Sequence, residues 1–154
     1  MRPGDRLVCA FVEPQAVGVQ FKEWLLHVTI VPWFRLEDNA DNIVAGLQKA
    51  LTPIKPFEAK IIGETLKGPR KRPAHILEPA KFPEVEQRVR SYLHKKRAWL
   101  VDETTKKPRQ FQPHVTFQGE THLPPGANVV CDCIYVIEQK GNYKRVAARI
   151  DLQN

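Results

Sequence analysis

A chain of 154 residues, 42% of them apolar, can bury enough surface to fold unaided, so the sequence predicts a single domain over residues 1–154. Its formal net charge of +7 favours a polyanionic partner or an anionic substrate, because Lys and Arg gain free energy by displacing counterions from phosphates; a basic solvated surface is the alternative. The three cysteines match neither a disulfide framework nor a zinc-binding spacing, and the apolar runs are too short for a membrane span or a signal peptide, so we expect a cytoplasmic protein without membrane association.

The first half of the chain predicts four strands and one helix. The strands fall at 6–12, 24–31, 57–66 and 73–77, where β-forming residues are dense. Pro32 is expected to end the second of them. Asp38 or Asn39 can cap the helix, apolar residues then recur at three- and four-residue spacing, and Pro53 closes it. The connector KGPRKR, residues 67–72, is interpreted as a basic loop.

The second half repeats this plan. A helix begins at Pro83, a favourable first-turn residue, and ends in the basic run 95–97, where the helix dipole favours cations. The polar segment 102–110 is expected to be a loop. The remaining strands are one that begins in FQPHVTFQG (111–119) and a closing hairpin of 128–138 and 143–152, joined by a turn at 139–142. Each half therefore holds a helix, flanking strands and one copy of a short motif.

That motif is His-Val-Thr followed by an apolar residue, written HVTI at 27–30 and HVTF at 114–117. Side chains alternate between the two faces of a β-strand, so each copy buries its apolar residues and presents an imidazole beside a hydroxyl. Two such strands facing one another would line a cleft with His27, Thr29, His114 and Thr116. Two structural strand histidines are the alternative. His75, His94 and His122 lack the Thr partner and are interpreted as structural.

These residue types suit phosphodiester chemistry. One neutral histidine can take a proton from an attacking 2'-hydroxyl or water while the other, protonated, gives a proton to the leaving oxygen. Threonine hydroxyls can donate to the non-bridging phosphate oxygens, where charge develops in the transition state. This arrangement calls for no metal and no cofactor, and no Walker loop, GxGxxG or HExxH motif is present in the sequence. Which histidine is acid and which is base stays open.

At these residues the chain resembles the two-histidine (2H) phosphoesterase superfamily, which includes 2'-5' RNA ligase-like proteins and cyclic nucleotide phosphodiesterases. RLVCAFVEP is similar to the first strand of that family, LHVTIVPWF to its first motif, FQPHVTF to its second, and the closing hairpin to its last element. The resemblance implies an α+β fold of two pseudo-symmetric lobes, with antiparallel sheets lining a central cleft and helices on the outside. It assigns catalysis to His27 and His114, and phosphate binding to Thr29 and Thr116.

Further residues are candidates for substrate binding. Four aromatic side chains near the motifs or on the closing hairpin could stack on a base, with core packing as the alternative: Trp33, Phe34, Phe111 and Tyr143. Basic side chains in two loops could follow a phosphate backbone, with a solvated face as the alternative. They are Lys67, Arg70, Lys71 and Arg72 in the first loop and Lys106, Lys107 and Arg109 in the second, and Arg70, Arg72, Lys107 and Arg109 are the preferred candidates.

The sequence thus predicts a metal-independent phosphodiesterase that acts on RNA 2',3'-cyclic phosphate ends, 2'-5' linkages or small cyclic nucleotides. The alternatives are a non-catalytic RNA-binding module and an RNA 2'-5' ligase. RNA or a nucleotide is the expected partner, and the oligomeric state stays open, with a monomer favoured.

Overall fold

The computed structural model describes residues 1–101 and 111–153, which form a mainly antiparallel sheet and two helices. This confirms the predicted α+β class. The elements are β1 Arg6–Phe11, β2 Gln20–Phe21, β3 His27–Arg35, α1 Ala40–Leu51, β4 Phe57–Lys67, β5 Arg72–Leu77, α2 Phe82–Lys95, β6 Trp99–Leu100, β7 His114–Thr116, β8 Asn128–Cys131, β9 Cys133–Gln139 and β10 Lys144–Asp151. Neither helix in the described ranges is long and apolar enough to cross a membrane.

The two motif strands are neighbours in the middle of the sheet. Its strand order is β2-β10-β9-β1-β3-β7-β5-β4-β8, and β6 pairs with the end of β3. β3 and β7 run antiparallel, with Val28 paired with Val115. The two histidine motifs therefore lie side by side on adjacent strands, and further antiparallel strands follow outward from each of them.

The main core lies between the sheet and the two helices, which pack against each other. Val28, Ile30 and Val115 are fully or almost fully buried there. These three apolar positions therefore point to the core, as alternation predicts, and the His and Thr positions point to the opposite face. Phe117 differs from the expectation, because β7 ends at Thr116 and the half-buried Phe117 ring packs on His75 and His122 instead of in the core. Helix α1 begins as expected, with the Asn39 side chain accepting a hydrogen bond of 2.8 Å from the Asn42 backbone N–H.

Two strand boundaries differ from the prediction. Pro32 does not end the second strand, which starts at His27 and continues to Arg35. The pairing of β1 with β3 shifts from Val8–Val31 to Arg6–Phe34, so β3 carries one extra residue at this point. Pro32 lies in that bulge, where the missing backbone N–H removes no regular ladder bond.

The predicted strand 128–138 is two strands with different partners. β8 pairs with β4 on the His114 side of the sheet, whereas β9 pairs with β1 on the His27 side. The chain crosses between them at Asp132, whose carbonyl accepts a 2.9 Å hydrogen bond from the Leu152 N–H. An alternating pattern shows which face is buried but not which neighbour a strand pairs with, so this crossing could not be predicted.

Candidate active site

The two motif histidines line one open pocket. The pocket has a volume of about 260 Å³ and is lined by Trp24, His27, Lys67, Gly68, Arg72, His114, Thr116 and Gln118. Continuing the Val28–Val115 register by one residue in each direction sets His27 across from Thr116 and Thr29 across from His114. Thr29 is half-buried and does not line this pocket. The structure thus places three of the four predicted motif side chains on the pocket itself.

The same backbone contact orients both imidazoles. The Nδ1 atom of His27 lies 2.7 Å from the carbonyl oxygen of Leu25, and Nδ1 of His114 lies 3.1 Å from the carbonyl oxygen of Gln112. A carbonyl oxygen only accepts hydrogen bonds, so Nδ1 carries the proton in each ring. In the neutral ring, Nε2 is then the basic atom. Each motif therefore presents a nitrogen that can take up or release a proton.

Aromatic side chains surround His27. The Trp24 ring stacks on its imidazole, with centroids 4.2 Å apart and planes inclined by 26°, and the Phe11 ring meets it edge-on at 6.4 Å. Burial lowers the pKa of His27 to about 4, against the opposing effect of the Leu25 hydrogen bond, and His114, Arg72 and Lys144 lower it further by charge repulsion. His27 is therefore neutral near pH 7.

Polar and basic side chains lie next to β7 on the other side of the pocket. Nζ of Lys67 donates a 2.6 Å hydrogen bond to Oε1 of Gln112, the residue whose backbone carbonyl orients His114. Arg72 donates from Nη2 to the Phe117 carbonyl at 3.2 Å and to Oε1 of Gln118 at 3.3 Å. The two motifs, nearly identical in sequence, thus have different environments.

The predicted basic residues separate into three groups. Arg72 lines the pocket, as expected for a residue that contacts an anionic substrate. Arg70 lies in the exposed turn between β4 and β5 and does not line the pocket. Lys107 and Arg109 lie outside the described residues.

None of the four predicted aromatic residues lines the pocket. Phe34 is fully buried in the main core, so its ring cannot stack on a base, and core packing replaces the predicted binding role. Trp33 is 7% exposed and packs in a second buried cluster with Phe11 and Tyr135. Phe111 packs against the main core, and Tyr143 is half-buried next to the closing turn.

Sequence reasoning did not select three of the pocket-lining residues, namely Trp24, Gly68 and Gln118, whereas Lys67 belongs to the connector KGPRKR that was expected to follow a phosphate backbone. A signal existed for Gln118, because alternation places it on the same strand face as His114 and Thr116. Trp24 lies three residues before His27 in a segment predicted as strand, and nothing in the local pattern indicates that its ring contacts the imidazole. Among residues 1–101 and 111–153, no three His, Cys, Asp or Glu side chains are grouped as metal ligands would be.

Comparison with known proteins identifies the family of this chain. A family model described as the 2'-5' RNA ligase superfamily matches residues 9–146, which confirms the resemblance to two-histidine phosphoesterases. No curated protein sequence matches the chain.

Solved structures share the fold over nearly the full length. The crystal structure of E. coli LigT complexed with 3'-AMP superposes with a TM-score of 0.56 and 14% identity, covering 99% of this chain and 100% of LigT. The complex of LigT with ATP has a TM-score of 0.60 and 13% identity at the same coverage. The protein TT0787 of Thermus thermophilus has a TM-score of 0.63 and 17% identity, covering 96% of this chain and 97% of TT0787. At these identities the likeness is one of fold alone.

Proposed function

This chain belongs to the 2'-5' RNA ligase superfamily, and we propose that it is a metal-independent phosphodiesterase acting on RNA 2',3'-cyclic phosphate ends, 2'-5' linkages or small cyclic nucleotides. One observation carries the proposal: His27 and His114 line a single pocket, and each is oriented by a backbone carbonyl at Nδ1. Two oriented imidazoles at one pocket are what general acid and general base catalysis of phosphoryl transfer requires.

The environment of His27 supports an assignment of roles within this proposal. His27 is neutral near pH 7, because its pKa lies at about 4, so we assign the role of proton acceptor to His27 and the role of donor to His114. In hydrolysis of a 2',3'-cyclic phosphate, the water oxygen bonds to phosphorus as Nε2 of His27 takes the water proton. The bond from phosphorus to O3' breaks, and O3' receives the proton of His114. The product carries a 2'-phosphate, and each proton transfer contributes roughly 10² to 10⁴ in rate.

Donors around the pocket suit an anionic transition state. Thr116 presents a hydroxyl beside the two imidazoles, and Arg72 places a guanidinium there. Such groups bind the non-bridging oxygens more strongly as negative charge develops on them, which is how they lower the barrier. The crystal structures of E. coli LigT with 3'-AMP and with ATP show that a protein of this fold binds nucleotides, which supports a nucleotide or RNA substrate here.

The test is cleavage of a short RNA ending in a 2',3'-cyclic phosphate, in EDTA, with the phosphate position mapped on the product. We expect turnover to a 2'-phosphate by the wild type, and losses of roughly 10²-fold or more in His27→Ala and His114→Ala. His94→Ala is the matched control, because His94 is an exposed histidine on α2 that does not line the pocket.

The outcomes separate the alternatives. Activity that vanishes in EDTA and returns with a divalent metal would contradict the metal-independent mechanism. If the wild type shows no turnover but binds the RNA tightly, the chain is a binding module. Joining of RNA ends by the same two histidines would identify a 2'-5' ligase.

A further inference from the structure

A stack of side chains backs the His27 imidazole. The Trp24 ring contacts the imidazole with centroids 4.2 Å apart. Nζ of Lys144 lies 5.3 Å from the centre of the same indole and 6.0 Å from the ring of Phe21. Phe21 packs on Trp24 at 5.3 Å. The ammonium, the indole and the imidazole therefore form one contiguous unit next to the pocket.

The backbone holds this unit in place. Lys144 begins β10 and pairs with Phe21 in the short strand β2. Its Nζ also donates a 3.1 Å hydrogen bond to the backbone carbonyl of Lys22. The strand β10 is thus attached to the segment that carries Trp24, and Trp24 is in contact with His27 at the start of β3. Few degrees of freedom remain for the imidazole plane.

Each charged or titratable group that acts on His27 opposes its protonation. The titratable and charged groups that act on it are His114 on β7, Arg72 on β5 and Lys144 on β10, and all three are basic. From β1 the neighbour is the uncharged ring of Phe11. An imidazolium stacked on an indole is ordinarily favourable, because the ring face is electron-rich. Here Lys144 already lies over that indole, so a protonated His27 would add a second cation to the same ring.

We propose that Trp24 is a positioning residue, which together with Lys144 holds His27 in a fixed plane and in the neutral form required of a proton acceptor. Trp24 lines the pocket, but the ring face that contacts His27 is closed to a nucleobase, so it acts through His27 rather than as a stacking platform. The role of His27 as proton acceptor rests on the proposed phosphodiesterase function. The packing of Lys144, Trp24 and His27 is observed in the structure and does not depend on that function.

The first experiment follows protonation directly and needs no substrate. The imidazole C–H signals of ¹³C-labelled histidine are recorded by NMR against pH, and His27→Gln identifies the His27 signal. In Trp24→Ala, water reaches the ring, and the midpoint of His27 should rise by at least about 1 towards its ordinary value near 6.5. Lys144→Gln should raise it less. Arg145→Gln removes an equal charge from the next residue of β10, on the opposite strand face, and should leave the midpoint unchanged.

The second experiment measures kcat/KM against pH for the RNA 2',3'-cyclic phosphate. At pH 7, kcat/KM should be roughly 10- to 100-fold lower in Trp24→Ala than in the wild type, because the His27 imidazole is no longer held in line with the reacting atoms. The acidic limb of the pH profile should also move to higher pH, together with the His27 midpoint. Trp24→Phe, which keeps an aromatic face, should recover part of the loss and keep the acidic limb near that of the wild type.

The results decide between positioning and simple packing. A His27 midpoint that is the same in wild type and in folded Trp24→Ala overturns the proposal. If Trp24→Ala does not fold, Lys144→Gln carries the test, since it removes the ammonium and its hydrogen bond to the Lys22 carbonyl but leaves both rings in place, and an unchanged midpoint there overturns the proposal equally. If the wild type shows no turnover, the proposed phosphodiesterase function is wrong. The NMR titration then still tests whether Trp24 and Lys144 keep His27 neutral.

Discussion

The neutral state of His27 should make the folded protein sensitive to mild acid. The unfolded chain binds a proton at this residue near pH 6.5, whereas the folded chain binds it only near pH 4. Stability is therefore present in full above about pH 6.5 and is lost as the pH falls towards 4, because only the unfolded state takes up the proton in that window. At 1.36 kcal/mol per pKa unit the full effect is about 3 kcal/mol, and between pH 7 and pH 4.5 it is about 2 kcal/mol.

Replacement by glutamine measures that contribution. Glutamine is similar in size and polarity but does not titrate. The free energy of unfolding, from urea titrations followed by tryptophan fluorescence, should fall between pH 7 and pH 4.5 by about 2 kcal/mol less in His27→Gln than in the wild type. Carboxylates titrate equally in both proteins, so the difference isolates His27.

His94→Gln is the control for removing a histidine from an exposed position, here on α2. An equal acid-induced loss in wild type and in His27→Gln would refute the reasoning. It would mean that the imidazole is protonated as readily in the folded chain as in the unfolded one, and the assignment of His27 as proton acceptor would lose its electrostatic basis.

Two further predictions concern substrate binding and helix packing. Arg72→Gln should raise KM for the cyclic phosphate roughly tenfold in steady-state kinetics, by removing a charged contact, and the same change at Arg70, in the same hairpin but outside the pocket, should not. Gly46→Ala should destabilise the protein by about 1–3 kcal/mol in urea unfolding, because a Cβ at this position of α1 would overlap the Tyr92 ring of α2. Gly63→Ala, where a Cβ meets no atom within 4 Å, is its control, and equal losses would contradict the packing argument.

The fold was predictable where the signal was local. The cap at Asn39 and the proline at position 53 bracket a helix that the structure places at Ala40–Leu51. A proline seen alone favours the end of a strand, but Pro32 occupies a bulge that only the pairing with β1 reveals. The crossing at Asp132 was missed for the same reason, because strand partners are set by contacts between residues distant in sequence.

The site, like the fold, was predictable only where the signal lay in the local sequence pattern. Two strands that each alternate His, apolar and Thr must present the polar pair on one face, and the structure brings both histidines to one pocket. Phe34 was wrongly predicted to stack on a base. Its closeness to the first motif in sequence does not show which face of the sheet its ring lies on, and the bulge in the pairing with β1 lies just before it. Trp24 was missed because its place in the pocket depends on the contact of its ring with the His27 imidazole, which no local sequence pattern indicates.

The doubled motif supplies two imidazoles but not the difference between them. The proposed reaction needs one imidazole without its proton and one with it, a state that two histidines of equal pKa would populate only around that pKa. The neighbours of His27 are an indole with a lysine over it, and burial together with nearby basic groups lowers the pKa of His27 to about 4. In the proposed mechanism this makes His27 the imidazole without its proton near pH 7. The pocket wall around His27, rather than the motif, is then the source of the acceptor role, and substitutions there should move the pH profile while the motif stays intact.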